Sequence, residues 1–231
     1  MHKAMLFVAA AMLVLVPAAG AHAGNQVLTF DTNRWGTSPW GTYSTQKDFE
    51  TSGGNPGACL LLKGFGGVGA SFQNAGFTGD FAAAGYKKIA FDIKVVTWWP
   101  APNQPAPTAY VFVRGSNTQK PWVKQIQGFA PVTTAWKQYA VDFDTNWSDN
   151  EANAHGWSIV DRPGVTETAT FKDVFHNVFQ TGMWVEVISG GAACHILLDN
   201  YSLLGAEDTG PSKAVPARIK PPKPVKRLRI E

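Results

Sequence analysis

The stretch Ile89-Ala90-Phe91-Asp92-Ile93-Lys94-Val95 decides the fold class. Ile89, Phe91, Ile93 and Val95 alternate with Ala90, Asp92 and Lys94, a period of two that makes one side of an extended chain apolar and leaves the other mixed. The stretch reads as a half-buried β-strand, and such a strand needs a second layer over its apolar side.

Working outward, the same signal recurs. Residues 26–31 open as a short strand and 60–63 make another. Residues 108–114 are apolar on both sides and read as a central strand. Residues 136–143 put Tyr139, Val141 and Phe143 on one face. Residues 183–189 and 194–204 complete the set, with Gly190-Gly191 as the turn between them. One helix candidate stands at 170–178, where Phe171, Phe175 and Val178 fall at i, i+4 and i+7. The expectation is an all-β domain over residues 24–205: a two-sheet antiparallel β-sandwich (jelly roll) with at most one short helix.

Composition agrees. Of 231 residues, 45% are hydrophobic, enough for a core, and only 16% are charged, which argues against a coiled coil and against a chain disordered throughout. Residues 1–23 carry the pattern of a secretory signal: Lys3, an apolar run from Ala4 to Val16, then Ala21-His22-Ala23 as the cleavage rule. The run is short for a membrane span. The expected location is secreted or periplasmic.

Residues 206–231 form a Pro-rich basic tail, expected to be disordered. Its seven basic residues (Lys213, Arg218, Lys220, Lys223, Lys226, Arg227, Arg229) face three acids, whereas residues 24–205 hold 12 basic against 14 acidic ones. The body therefore lacks the electrostatic footprint of a nucleic-acid binder. The tail reads either as a solvated linker or as a contact to an anionic surface. Export also bears on Cys59 and Cys194, an even pair that is a candidate disulfide in an oxidising compartment. The alternative is two buried thiols.

Four local signatures follow one another: Gly53-Gly54-Asn55-Pro56-Gly57 before a strand, Phe77-Thr78-Gly79-Asp80-Phe81 before the 89–95 strand, Trp136-Lys137-Gln138-Tyr139, and Leu198-Asp199-Asn200 near the end. Their order resembles the laminin-B-like and carbohydrate-binding-module-like (galactose-binding-like) jelly rolls of secreted bacterial proteins, over about residues 26–205. The resemblance implies a binding domain. It also implies a structural calcium where the first strand meets the last, with Asp31 and Asp199 at the matching positions. Calcium takes six to eight oxygens, so two acids would need backbone carbonyls beside them.

Sugar recognition needs flat apolar faces beside polar partners. The candidates are tryptophans in loop-like sequence: Trp98 and Trp99, Trp122, Trp147 and Trp157. Trp35, Trp136 and Trp184 read as core. Catalytic patterns are missing: Glu186 is the one acid in 184–189, Gln125-Ile126-Gln127 lacks a lyase histidine, and neither a Gly-x-Ser-x-Gly elbow nor a phosphate loop occurs. The expected role is non-catalytic recognition of carbohydrate or of a cell-envelope or extracellular surface. The alternatives are a structural or adhesive sandwich that binds protein, and a glycan-active hydrolase or lyase with an unfamiliar site.

Overall fold

The computed structural model describes residues 24–31, 37–39, 46–65, 67–99, 107–116, 118–129, 135–160, 165–166, 168–186 and 193–205, with the backbone alone for 37–39, 46, 98, 99 and 193. The expected leader (1–23) and tail (206–231) lie outside the described residues.

Among the described residues, twelve strands form two antiparallel sheets, accompanied by two short helices. The first sheet runs β3 (Gln46–Gly54), β4 (Gly57–Phe65), β12 (Ala193–Gly205), β6 (Tyr86–Trp99) and β9 (Lys137–Asp142). The short β1 (Gln26–Leu28) pairs with the second half of β12, beyond the residues that β4 occupies. The second sheet runs β10 (Trp157–Ile159), β8 (Trp122–Gln125), β7 (Thr108–Gly115), β11 (Val178–Glu186), β5 (Gly67–Phe72) and β2 (Thr37–Pro39).

The alternation in 89–95 does what it predicts. Ile89, Phe91, Ile93 and Val95 enter the core with Leu60, Leu62, Ile196 and Leu198 of neighbouring strands. Val68, Ala70, Phe72, Val111, Val113, Met183 and Val185 face them from the second sheet. Tyr201 is fully buried between the two layers, its ring 4.2 Å from that of Phe72. Its hydroxyl lies 2.6 Å from Thr181 Oγ1, which donates onward to the Phe112 carbonyl. At one end, α1 (Asp149–Ala154) and α2 (Phe171–His176) close over an aromatic cluster of Trp122, Trp157, Phe171 and Phe175.

The structure corrects several expectations. The described residues include two short helices, not one. The helix α1 follows a capping box, Ser148 and Glu151 exchanging hydrogen bonds with each other's backbone. It buries only Ala152, so it leaves no apolar stripe to read. The helix α2 stops at His176, and Val178 begins a strand instead. The opening strand ends at Leu28 because Phe30 takes a positive φ of 58° and turns the chain. Strands β2, β3, β5, β8 and β10 escape the periodicity, being very short (β2, β8, β10), polar (β3) or glycine-interrupted (β5).

Cys59 and Cys194 are free thiols, both buried. They stand on adjacent strands, but Cys194 pairs with Gly64, five residues along β4 from Cys59. That is about 17 Å at strand rise, with the two side chains on opposite faces. A disulfide needs Cα atoms roughly 4.4–6.8 Å apart. Burial pushes the Cys59 thiol up to about 11 and the Cys194 thiol up to about 12.

Candidate functional site

Two of the five expected sugar-stacking tryptophans are core residues. Trp122 and Trp157 are each 1% exposed, and both indole N–H groups are satisfied by carbonyls, of Ala169 and Asp142 respectively. The polar sequence around them had suggested loops, yet each occupies a short strand of the second sheet with its ring turned inward. Trp147 is half-buried, and His155 stacks on it at 4.1 Å with planes 3° apart. A cavity of about 500 Å³ opens beside it, lined by Asn146, Ser148, Asp149 and Lys172. Trp98 and Trp99 pair with Cys194 and Ala193 at the end of β6, and their side chains lie outside the described residues.

Trp184, expected in the core, is half-buried on the outward side of the second sheet. Its strand alternates Met183 and Val185 inward with Trp184 and Glu186 outward. Cross-strand partners share a face, so the registers assemble rows. Gln125, Tyr110, Trp184 and Gly69 make one row across β8, β7, β11 and β5. Thr108, Glu186 and Gly67 make the next. The Tyr110 and Trp184 rings sit 5.4 Å apart and tilted by 31°.

Behind this pair the face is tightly fitted. A side chain on Gly182 would meet the Phe112 ring at 2.6 Å, so glycine there leaves the ring its place. Beyond Phe112, Arg114 lies opposite Gln180 and sets its guanidinium over the exposed Phe179 ring, 5.0 Å from the centroid. Two polar atoms of β11, Trp184 Nε1 and Gln180 Oε1, are buried with no hydrogen-bond partner among the described residues. Orphans of this kind carry a desolvation cost of about 1–3 kcal/mol each unless something satisfies them. The Tyr110 hydroxyl bonds to Thr108 and Glu186; burial first, and then the Glu186 charge, hold its pKa above the ordinary value.

This face can do specific chemistry. Two adjoining aromatic rings offer apolar area to the C–H face of a pyranose, while Thr108, Gln125 and Glu186 can exchange hydrogen bonds with hydroxyls. Sequence reasoning missed Tyr110 and Trp184 because 108–114 and 183–189 look apolar on both sides. The usable signal was parity: Tyr110 and Phe112 sit out of phase with Ala109, Val111 and Val113, and Trp184 with Met183 and Val185.

The seam expected to hold calcium brings Asp31 and Asp199 to one cluster and adds Asp92. Asp199 Oδ2 accepts the Asn55 N–H at 2.6 Å, Asp31 Oδ1 accepts that of Ala58 at 2.5 Å, and the Asn55 and Asn200 amides both donate to Asp92 Oδ2. Burial, with Asp31 and Asp92 adding like charge, pushes the Asp199 carboxyl up to about 7 despite two backbone donors. Among the described residues no three acidic, histidine or cysteine side chains converge as a metal group.

No family model matches the sequence, and no curated protein does either. Among solved structures, the chain is similar to the Family 11 Carbohydrate-Binding Module of the cellulosomal cellulase Lic26A-Cel5E of Clostridium thermocellum, at 14% identity and a TM-score of 0.51, covering 80% of this chain and 96% of that one. It is also similar to a Family 11 module from the same organism in complex with a β-1,3-1,4-mixed-linked tetrasaccharide, at 16% identity and a TM-score of 0.52, covering 80% and 97%. At these identities the likeness is one of fold, the β-sandwich of carbohydrate-binding modules. Among the described residues, no helix is long and apolar enough to cross a membrane.

Proposed function

We propose that this protein is an exported, non-catalytic glycan-binding module that holds a polysaccharide chain on the outward side of its second sheet. The half-buried Tyr110–Trp184 pair carries the reading, since it sets two adjoining rings on the outward side of the sheet beside the polar side chains of Thr108, Gln125 and Glu186. The fold supports it: a module of the same architecture was solved with a mixed-linked tetrasaccharide. Among the described residues of this face Glu186 is the one acid, whereas glycan hydrolysis ordinarily needs two carboxyl groups across the bond.

Calorimetric titration with oligosaccharides of mixed-linkage β-glucan and of xylan tests the reading. Trp184→Ala and Tyr110→Ala are each expected to weaken binding at least about tenfold, as buried aromatic anchors do. Trp147→Ala is expected to leave it unchanged. Binding that survives at Trp184→Ala but vanishes in Trp98→Ala or Trp147→Ala would return the site to the loops.

The proposal includes a structural calcium at the seam, with Asp31 and Asp199 as its carboxylates and carbonyl oxygens of the adjoining turns completing the shell. Carboxylates suit a hard cation, and such an ion would relieve a carboxyl that burial first, and then the Asp31 and Asp92 charges, push up to about 7. A melting temperature that neither calcium nor EDTA moves removes the ion. The basic tail, in the same proposal, contacts an anionic envelope surface.

A further inference from the structure

Glu186 stands two residues from Trp184 on β11, so the two side chains share one face about 7 Å apart along the strand. Its carboxylate bonds the Tyr110 hydroxyl. Among the described residues it makes no ion pair. The cation on the same face, Arg114, lies opposite Gln180, six residues along β11 and therefore about 20 Å away. Its guanidinium is placed over Phe179 instead.

This end of the face thus combines two ring faces, each negative at its centre, with a carboxylate that has no neutralising partner among the described residues. Rings and carboxylate act in the same direction. They attract an ammonium group and repel a carboxylate or sulfate, and a slightly acidic body adds to both effects.

We infer that Glu186 selects the charge of the glycan, so that this face favours chains carrying protonated amino sugars over neutral chains and rejects acidic ones. The inference rests on the glycan-binding reading and names the ligand class of the same site. The amine would approach Glu186 while its ring lies on Trp184. Residues of uronic acid or sulfated sugar would bring like charge to the same point.

The test holds length constant throughout and linkage constant between its first two ligands. The full chain is titrated with a hexamer of β-1,4-linked glucosamine, with its fully N-acetylated counterpart, and with a hexamer of galacturonate, at low and at moderate salt. The deacetylated hexamer is expected to bind about five- to tenfold more tightly than the acetylated one at low salt, the size of an exposed ion pair joined to a cation–π contact. The gain is expected to shrink as salt screens it, and the galacturonate hexamer to bind weakest. Glu186→Gln keeps shape and hydrogen bonding; it is expected to melt with the wild type, to bring the first two ligands to equal affinity and to admit the third. Equal affinities in the wild type, or a gain that persists in Glu186→Gln, overturn the inference. Glycan binding that depends on Trp184 but ignores the amine sinks this inference alone, whereas loss of all glycan binding sinks the reading beneath it too.

Discussion

Asp199 and Asn55 are 144 residues apart in sequence, and the carboxylate of the first accepts the backbone N–H of the second at 2.6 Å. The closing strand thereby holds the tip of the β3–β4 hairpin. Asn200, at a positive φ of 50°, turns back to donate to Asp92 and to the Asn55 carbonyl. The bond is made in a setting hostile to its own charge, because burial and two nearby aspartates favour the protonated acid.

That conflict predicts a pH dependence. The folded chain holds the Asp199 proton up to about pH 7, against a reference value of 3.8. Stability from this group is complete below about pH 4 and falls as pH rises to about 7, by at most about 4 kcal/mol. Urea midpoints measured between pH 4.5 and 8 should decline more steeply in the wild type than in Asp199→Asn. Parallel slopes would show that the carboxyl titrates normally. Saturating calcium should flatten the wild-type slope if the ion occupies the seam.

The Tyr201–Thr181 bond ties the sheets together, and its direction sets an asymmetry. Tyr201 donates and Thr181 passes a hydrogen bond to Phe112. Tyr201→Phe removes a donor but strands no buried group, and should cost about 1 kcal/mol. Thr181→Val leaves the Tyr201 hydroxyl buried without a partner and should cost more, about 1–3 kcal/mol. In the double variant the Thr181→Val cost should largely disappear. Chemical denaturation of the three proteins decides; simple additivity would mean that the hydroxyls are not coupled.

Two tryptophans should separate stability from binding. Trp157→Ala empties part of the aromatic cluster under the helices and should destabilise by about 3–5 kcal/mol. Trp184→Ala, on the outward face, should shift stability far less while abolishing glycan capture. Melting curves and affinity electrophoresis on the same pair of variants give the contrast. A Trp184→Ala protein as unstable as Trp157→Ala would make Trp184 a packing residue.

The cysteines should behave as two inert thiols. Burial holds both well above the ordinary thiol range. An alkylating reagent at pH 8 should label neither in the folded protein and both after denaturation, with the same melting temperature with and without reductant. A reductant-sensitive melting temperature would contradict the register of β4 against β12.

Much of the architecture was legible because period-two patterning is a local property. The strand at 89–95, its partners at 194–204 and 136–143, and the central strand at 108–114 of the other sheet could be found from neighbours two residues away. Turn residues were legible for the same reason: Gly57 takes a φ of 92°, a conformation few other residues accept. The edge strands were not. A strand of three or four residues has too few alternations to be told from a loop, and its inward face is defined by the sheet it joins.

Amino-acid sequence by itself determined the class of the fold and its main strands, because alternation along each strand is a local property. Only the tertiary structure decided which tryptophans face solvent, because an indole in a run such as Met183–Glu186 is equally suited to either side of a strand. The second sheet's register settled it, sending Trp122 and Trp157 inward and leaving Trp184 beside Tyr110. The first sheet's register separated Cys59 from Cys194, since a disulfide depends on two Cα atoms meeting within a few ångströms, and residue spacing along one chain carries no such distance.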